Sequence, residues 1–101
     1  MIGDGMDELE VLREEIRQID RDMVVLFEKR MALSAEVAQV KCKSLAPIYD
    51  AAREEKNIRE LTALLANASD RPLFQKWYRT LMDVSKIRQE EIREKLSWKK
   101  H

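Results

Sequence analysis

Apolar residues in the first half of the chain recur at alternating intervals of three and four residues. The positions of this stripe are Leu9, Leu12, Ile16, Ile19, Met23, Leu26, Arg30, Leu33, Val37 and Val40. Such spacing predicts a single long helix, because side chains three and four residues apart lie on the same face. Arg30 is the charged member of the stripe, so a guanidinium is directed at the core. Since an unpaired buried charge is costly, the sequence predicts an anionic partner for it, either a carboxylate of the protein or a bound ligand.

Few helix-breaking residues occur, and they divide the chain into three helical segments. Glycine is found only at positions 3 and 5, and proline only at positions 47 and 72. We predict three helices, which cover residues 7–43, 49–67 and 71–97. The breaks fall at Ser44-Leu45-Ala46-Pro47 and at Asn67-Ala68-Ser69-Asp70. Ser69 or Asp70 is the expected N-cap of the third helix, with Pro72 in its first turn.

The first predicted helix is too long for a compact domain of this size. At 1.5 Å per residue it would be on the order of 50 Å long, whereas a compact chain of about 100 residues has a radius of gyration of about 13 Å. The other two helices can cover only part of its apolar stripe, so we expect the remainder to pack on a second copy in a two-fold dimer. A free-standing coiled coil would explain the first helix but not the two amphipathic helices that follow.

Polar side chains also occupy core positions of the second and third helices. Glu54 and then Asp50 continue the apolar stripe of the second helix toward its N-terminus, and Ser85 and Gln89 interrupt the stripe of the third helix. The apolar members of these stripes are Ile58, Leu61 and Leu65 on the second helix and Tyr78, Leu81, Ile92 and Leu96 on the third. All three helices therefore place polar groups in the predicted interior.

Basic residues accompany this polar set. Arg30 and Lys41 share a face of the first helix with about 16 Å between their Cα atoms, so their long side chains could close on one small anion. Arg53 lies beside the two carboxylates of the second helix. Arg13 is about 25 Å from Arg30 along the helix, and only an antiparallel dimer partner could deliver it to the same anion. An internally compensated charge network is the alternative, but recurrence of polar residues on three apolar stripes favours a binding site.

Composition restricts the classes of function. The 101 residues include 19 Lys plus Arg and 19 Asp plus Glu, so the formal net charge is zero and no overall basic field would attract nucleic acid or anionic lipid. Because no apolar run approaches the roughly 20 residues of a membrane span and no signal layout is present, we expect a cytoplasmic protein. The lone Cys42 and lone His101 offer no constellation for a disulfide, a metal or a Cys/His nucleophile. We expect one domain over residues 1–101, with a core at 7–97 and flexible ends at 1–6 and 98–101.

Taken in order, these residues resemble the all-helical chorismate mutases, which are intertwined homodimeric bundles of three-helix subunits. The resemblance is carried by an ordered set of positions, namely Leu12-Arg13-Glu14, Ile19-Asp20, Arg30, Glu36-Val37, Lys41, Pro47, Asp50-Ala51-Ala52-Arg53-Glu54, Ser85 and Gln89. It implies an isomerase that converts chorismate to prephenate, the branch-point step toward phenylalanine and tyrosine. Tyr49 departs from the pattern, because relatives of this type often carry a basic residue there.

The resemblance also implies how the substrate carboxylates are held. Arg30 and the partner subunit's Arg13 would bind the two carboxylates, Ser85 would assist, and Arg53 would border the site. The substrate would be the small-molecule partner and a second copy of the chain the macromolecular one.

Four residues are implied in catalysis: Lys41, Gln89, Arg30 and Glu54. Lys41 and Gln89 would donate hydrogen bonds to the enolpyruvyl ether oxygen, while Asp50 and Glu54 would engage the ring hydroxyl and its surroundings. A unimolecular pericyclic rearrangement requires a compact substrate conformer and preorganised donors, so no metal, nucleophile or cofactor is expected.

Other functions remain open at this point. A lyase on the same fold could remove pyruvate from isochorismate, although the Asp50/Glu54 pair argues against it, and a non-catalytic ligand-binding domain or a purely structural helical dimer is also compatible. The sequence leaves open whether the chain acts alone or belongs to a longer bifunctional polypeptide, whether an aromatic amino acid regulates it, and whether Met1 or Met6 is the natural start.

Overall fold

The computed structural model describes the backbone of residues 5–99 and the side chains of residues 7–97. It contains three α-helices, α1 (Gly5–Ser44), α2 (Ala51–Thr62) and α3 (Arg71–Lys99), and a 3₁₀ turn at Ala68–Asp70 that precedes α3. No β-strand occurs within this part of the chain. The predicted all-α class, with one long N-terminal helix and two further helices, is confirmed. The outermost residues of the predicted flexible ends, 1–4 and 100–101, lie outside the described residues.

Helix α1 ends in a tight reversal at the predicted first break. Leu45 adopts a left-handed conformation with φ of 61°, and the Ala46 N–H donates to the Lys41 carbonyl over 2.9 Å. A left-handed residue followed by this long backward hydrogen bond is the Schellman type of helix ending. Leucine is an unusual residue for it, since a Cβ disfavours positive φ. The reversal turns the chain back toward the last turn of α1.

Helix α2 is shorter at both ends than we predicted. Asp50 is its N-cap, with a side-chain oxygen that accepts from the Arg53 N–H over 3.1 Å, so the helix begins at Ala51 rather than at residue 49. After Thr62 the backbone bonds change to the tighter i to i+3 spacing, from Leu64 N–H to the Leu61 carbonyl over 3.0 Å. No glycine or proline marks this end, and the apolar pattern continued beyond it.

The second break lies where we predicted it, at residues 67–70. A 3₁₀ turn that we did not predict lies there, and Asn67 caps it: its Oδ1 accepts from both the backbone N–H and the hydroxyl of Ser69. Asp70 completes that turn and α3 begins directly afterwards at Arg71, with Pro72 in its first turn as predicted. Proline is well tolerated there, because an N–H at this position would lack a helical partner.

Residues up to Arg30 and residues from Met31 onward form two compact units. In the second unit α2 packs against α3, and the buried apolar side chains are Met31, Ala38, Ile48, Ile58 and Met82. Four polar side chains are buried with them, namely Ser34, Thr62, Ser85 and Gln89. The polar interior predicted on α3 is therefore confirmed, because both Ser85 and Gln89 are buried.

The buried face of α1 in this second unit is not the predicted stripe. Leu33 and Val40 are 60% and 64% exposed, whereas Ser34 and Ala38, each one position away from a stripe residue, are buried. Small side chains permit a close approach between helices, which explains why this face makes the contacts within the chain. The larger apolar stripe stays exposed in the single chain, so the expectation that it faces the chain's own core is wrong for these residues.

The first unit consists of the N-terminal part of α1. Every described side chain from residue 7 to residue 29 is exposed, and only Arg30 at its end is partly buried. The exposed large apolar residues of this part are Leu9, Val11, Leu12, Ile16, Ile19, Met23, Val24, Val25, Leu26 and Phe27. On the polar side, Glu14 pairs with Arg17 and Arg21, with 2.7 Å between each nitrogen and oxygen. No helix within residues 5–99 is sufficiently long and apolar to cross a membrane.

Candidate functional site

Lys41 lies in the last turn of α1, beside the loop that leads to α2. The Leu45 reversal brings the loop back along the helix, and the Lys41 Nζ donates to the Ile48 carbonyl over 2.9 Å. Since an ammonium group carries three N–H donors, two remain after this contact. The carbonyl holds the ammonium group in place and leaves it able to donate to a ligand.

Asp50 and Glu54 project from the first turn of α2. One carboxylate oxygen of Asp50 is engaged in capping the helix, and the side chain of Glu54 is only 15% exposed. Carboxylates are stabilised at a helix N-terminus by the unpaired backbone N–H groups there. Asp50 begins the helix and is exposed, so its predicted place in the interior is wrong, whereas Glu54 extends into partly buried surroundings.

A chain of three polar side chains connects α1 with α3. The hydroxyls of Ser34 and Ser85 lie 2.5 Å apart, and the Gln89 Nε2 donates to the Ser85 Oγ over 3.4 Å. The Gln89 Oε1 is buried and makes no hydrogen bond within the described part of the chain. Because a buried acceptor without a donor costs roughly 1–3 kcal/mol, this amide has unused hydrogen-bonding capacity that a ligand could satisfy.

The charges around Lys41 favour an anionic ligand. Burial lowers the pKa of Lys41, and the positive charge of Arg53 lowers it further. The negative charges of Asp50 and Glu54 act in the opposite direction, and the positive charge of Arg93 also lowers the pKa. Three cations therefore share this region, and part of the available negative charge is committed to helix capping. An anion placed here would relieve the repulsion between the cations and restore the proton affinity of Lys41.

Lys86 contacts Glu54, a neighbour that the sequence did not indicate. Its Nζ lies 3.1 Å from the Glu54 Oε2 and 3.4 Å from the Asp83 Oδ1, and it sits 4.4 Å from the centre of the Tyr49 ring. Burial opposes the charged form of Lys86, but the hydrogen bonds and charges of Glu54 and Asp83 outweigh it, so the pKa of Lys86 is raised. Glu54 is thereby tied to α3 next to Ser85.

Two further residues were missed by the sequence pattern. Ser34 carries the contact from α1 to Ser85, and Arg93 donates to the Ala46 carbonyl over 2.7 Å and so fixes the loop. Ser34 is four residues after Arg30 and lies on the same face of the helix, so helical spacing also permitted Ser34 as the inward residue. The predicted stripe instead places Leu33 at that position. Arg93 gave no signal, because its contact depends on where the loop returns.

The structure gathers six of the eight predicted site residues within the second unit. These six are Lys41, Asp50, Arg53, Glu54, Ser85 and Gln89, contributed by α1, α2 with its N-cap, and α3. Arg13 and Arg30 belong to the first unit, where Arg13 is exposed and pairs with Glu10 over 3.1 Å. A cavity of about 450 Å³ at the end of α1 is lined by Arg93 and Cys42 but by none of the eight. Among the described residues, no group of His, Cys, Asp and Glu is arranged to hold a metal ion.

Comparison with known proteins identifies the family of the chain. Residues 12–90 match the family model of chorismate mutase type II, an interval that contains all eight predicted site residues. The T-protein of Haemophilus influenzae is 43% identical over 49 residues, which make up 48% of this chain and 13% of the T-protein. The match thus spans only a small part of that longer relative, and no solved structure matches the chain significantly. The family model covers most of the chain, and the chain belongs to the chorismate mutase type II family.

Proposed function

We propose that the chain is a chorismate mutase, an isomerase that rearranges chorismate to prephenate without cofactor or covalent intermediate. Family membership supports the reaction. The observation that carries the proposal is the surroundings of the Lys41 ammonium group. Its ammonium group is held by the Ile48 carbonyl among additional cations, and a buried amide with unused hydrogen-bonding capacity lies on α3. Such a site suits a small dianion with an ether oxygen that gains charge as its bond breaks.

Lys41 and Gln89 are the proposed donors to the ether oxygen. The Gln89 amide can turn by 180°, which exchanges its oxygen and nitrogen with little change in shape. In the turned orientation the Ser85 hydroxyl donates to Oε1, and Nε2 takes the position that lacks a partner. The rearrangement then needs only a compact substrate conformer and these donors, while Asp50 and Glu54 engage the ring hydroxyl. Arg53 borders the site.

Arg30 and the partner subunit's Arg13 are the proposed ligands of the two substrate carboxylates, with Ser85 assisting. This role requires a homodimer, and the exposed apolar residues between Leu9 and Phe27 supply a reason for one. Ten large apolar side chains that are each about half exposed would gain about 1 kcal/mol apiece when covered, on the order of 10 kcal/mol in all. That gain must exceed the cost of association, which is of comparable size.

Turnover of chorismate by the purified chain is the direct test. We expect loss of the chorismate absorbance with prephenate as the product. Lys41→Ala should abolish most of the rate, whereas Lys43→Ala, which removes an exposed lysine from the same helix turn, should leave it unchanged. Binding of chorismate without turnover would favour a ligand-binding domain. Absence of both binding and turnover would favour a structural dimer.

A second assay tests for the related lyase. Supplied with isochorismate, a lyase would release pyruvate, which lactate dehydrogenase detects. We expect no pyruvate, because Asp50 and Glu54 are both present near Lys41 and impose contacts suited to the ring hydroxyl of chorismate.

We place the protein in the cytoplasm as part of this proposal, and cell fractionation tests that location.

A further inference from the structure

Among the side chains that the structure describes, two ion pairs cross between α2 and α3, and they differ in their surroundings. Arg79 pairs with Glu55 over 2.9 Å, and both side chains are at least half exposed. Lys86 pairs with Glu54 two helical turns further along α3, where the side chains are only 24% and 15% exposed. Exposed pairs contribute little, because water screens them, whereas a pair with restricted access to water is held more firmly. The contact between Lys86 and Glu54 is therefore the better candidate for a role in the site.

Both carboxylate oxygens of Glu54 face the same ammonium group. The Lys86 Nζ lies 3.3 Å from Oε1 and 3.1 Å from Oε2, so the contact fixes the rotation of the carboxylate as well as its position. Lysine is a flexible side chain, and ordering it has an entropic cost. The Tyr49 ring, 4.4 Å from the same Nζ, reduces that freedom through a cation–π contact. Asp83 holds the ammonium from within α3.

We propose that Lys86 is a positioning residue that orients the Glu54 carboxylate toward the substrate, and that the Tyr49 ring holds Lys86 in place. The proposal rests on the proposed mutase function. Lys86 acts on the reaction through Glu54, which engages the ring hydroxyl. Tyr49 acts one step further away, through Lys86.

A double-mutant cycle tests this arrangement. Lys86→Met removes the ammonium group and keeps the length of the side chain; kcat/KM should fall by about tenfold or more, as expected when a charge-assisted hydrogen bond is lost. Glu54→Gln should also lower kcat/KM. If Lys86 acts through Glu54, the double variant should lose no more than Glu54→Gln alone, whereas independent contributions would multiply. Lys86→Arg should recover part of the loss.

Tyr49 provides a second and milder perturbation. Tyr49→Phe keeps the ring face and should leave kcat/KM within about twofold of the wild type, whereas Tyr49→Leu removes the cation–π contact and should lower it severalfold. Arg79→Met is the matched control, because it breaks the exposed ion pair between the same helices and should leave kcat/KM unchanged. Multiplicative losses in the cycle, or equal losses in Lys86→Met and Arg79→Met, would overturn the proposal.

A readout without turnover keeps this inference separate from the proposed function. The carboxyl carbon resonance of Glu54, assigned by its disappearance in Glu54→Gln, should shift in Lys86→Met and in Tyr49→Leu but not in Arg79→Met. An unshifted resonance in folded Lys86→Met overturns the positioning role whatever the activity. Absence of turnover in the wild type, with the resonance shifts as expected, would instead refute the mutase function and leave the Lys86 contact in place. If Lys86→Met does not fold, Tyr49→Leu supplies the same comparison.

Discussion

Replacement of Gln89 by glutamate would separate hydrogen bonding from packing at the centre of the proposed site. The side chain is 4% exposed, and glutamate has nearly the same size and shape. An amide can donate a hydrogen bond at any ordinary pH, whereas a carboxyl group donates only while it is protonated. Wild-type activity should therefore be nearly flat across neutral pH, and Gln89→Glu should make turnover depend on one additional proton.

The size of the effect follows from the burial of this position. Burial raises the pKa of a carboxyl group by up to about 3–5 pH units when water is fully excluded. The cations around Lys41 should limit the rise at position 89 to about 2 pH units. Turnover of the variant should then peak near pH 5–6 and fall about tenfold for each pH unit above the raised pKa, to about 1% of its maximum near pH 8.

The raised pKa also predicts how stability depends on pH. Because the pKa in the folded state lies above the unfolded value, the folded variant binds more protons between the two pKa values, and its free energy of unfolding falls as pH rises through that window. Gln89→Glu should match the wild type at about pH 4. At neutral pH it should be destabilised by about 2.7 kcal/mol, since a pKa difference of 1 between the folded and unfolded states corresponds to about 1.36 kcal/mol.

The assay is kcat/KM against pH for both proteins, with circular dichroism to confirm the fold and urea unfolding at pH 4 and pH 7. Gln18→Glu is a matched control, because it makes the same chemical change at an exposed position of α1 and should alter neither profile. If Gln89→Glu retains full activity with an unchanged profile at neutral and alkaline pH, Gln89 does not donate to the ether oxygen. The assignment of α3 to the reacting centre would then be wrong.

Three further predictions address the rest of the assembly. If the exposed stripe of α1 is a dimer interface, the unfolding midpoint should rise with protein concentration, and a stable monomer at micromolar concentration in light scattering would contradict it. Arg13→Ala and Arg30→Ala should each be nearly inactive. When the two variants are mixed and reassociated, about a quarter of wild-type activity should return, because half of the random pairs are heterodimers with one intact site. No recovery despite subunit exchange would place Arg13 outside a shared site. Lys41→Ala should lower kcat by about 10²-fold or more, as for loss of a preorganised donor, whereas a rise in KM alone would make Lys41 a binding residue.

The sequence predicted the parts of the fold that depend on one helix at a time. The breaks around Pro47 and Pro72, the length of α1 and the burial of Ser85 and Gln89 all follow from residue types and from helical periodicity. The end of α2 did not, since neither glycine nor proline stops the helix after Thr62. Backbone hydrogen bonds there tighten without a marker in the sequence.

Helical periodicity did not predict the features that depend on contacts between two helices or between a helix and a loop. The choice between Leu33 and Ser34 as the inward position of α1 is decided by how closely α3 approaches, and periodicity permits both neighbouring faces. Lys86 reaches Glu54 only because of the rotation of α3 against α2. A residue beside an apolar stripe gives no sign of this, and the same holds for the contact from Arg93 to the loop.

The polar interior and the exposed apolar stripe of α1 both lower the stability of the single chain. Among the described residues, five apolar side chains and four polar ones are buried, so the single chain gains little from its apolar core. A buried amide with unused hydrogen-bonding capacity, such as that of Gln89, reduces stability further until a ligand pairs with it. The large apolar residues that would compensate lie on the exposed face of α1, where only another surface can cover them. Stability would thus come from association, and the polar interior would remain available for the ligand, which couples assembly to the integrity of the site.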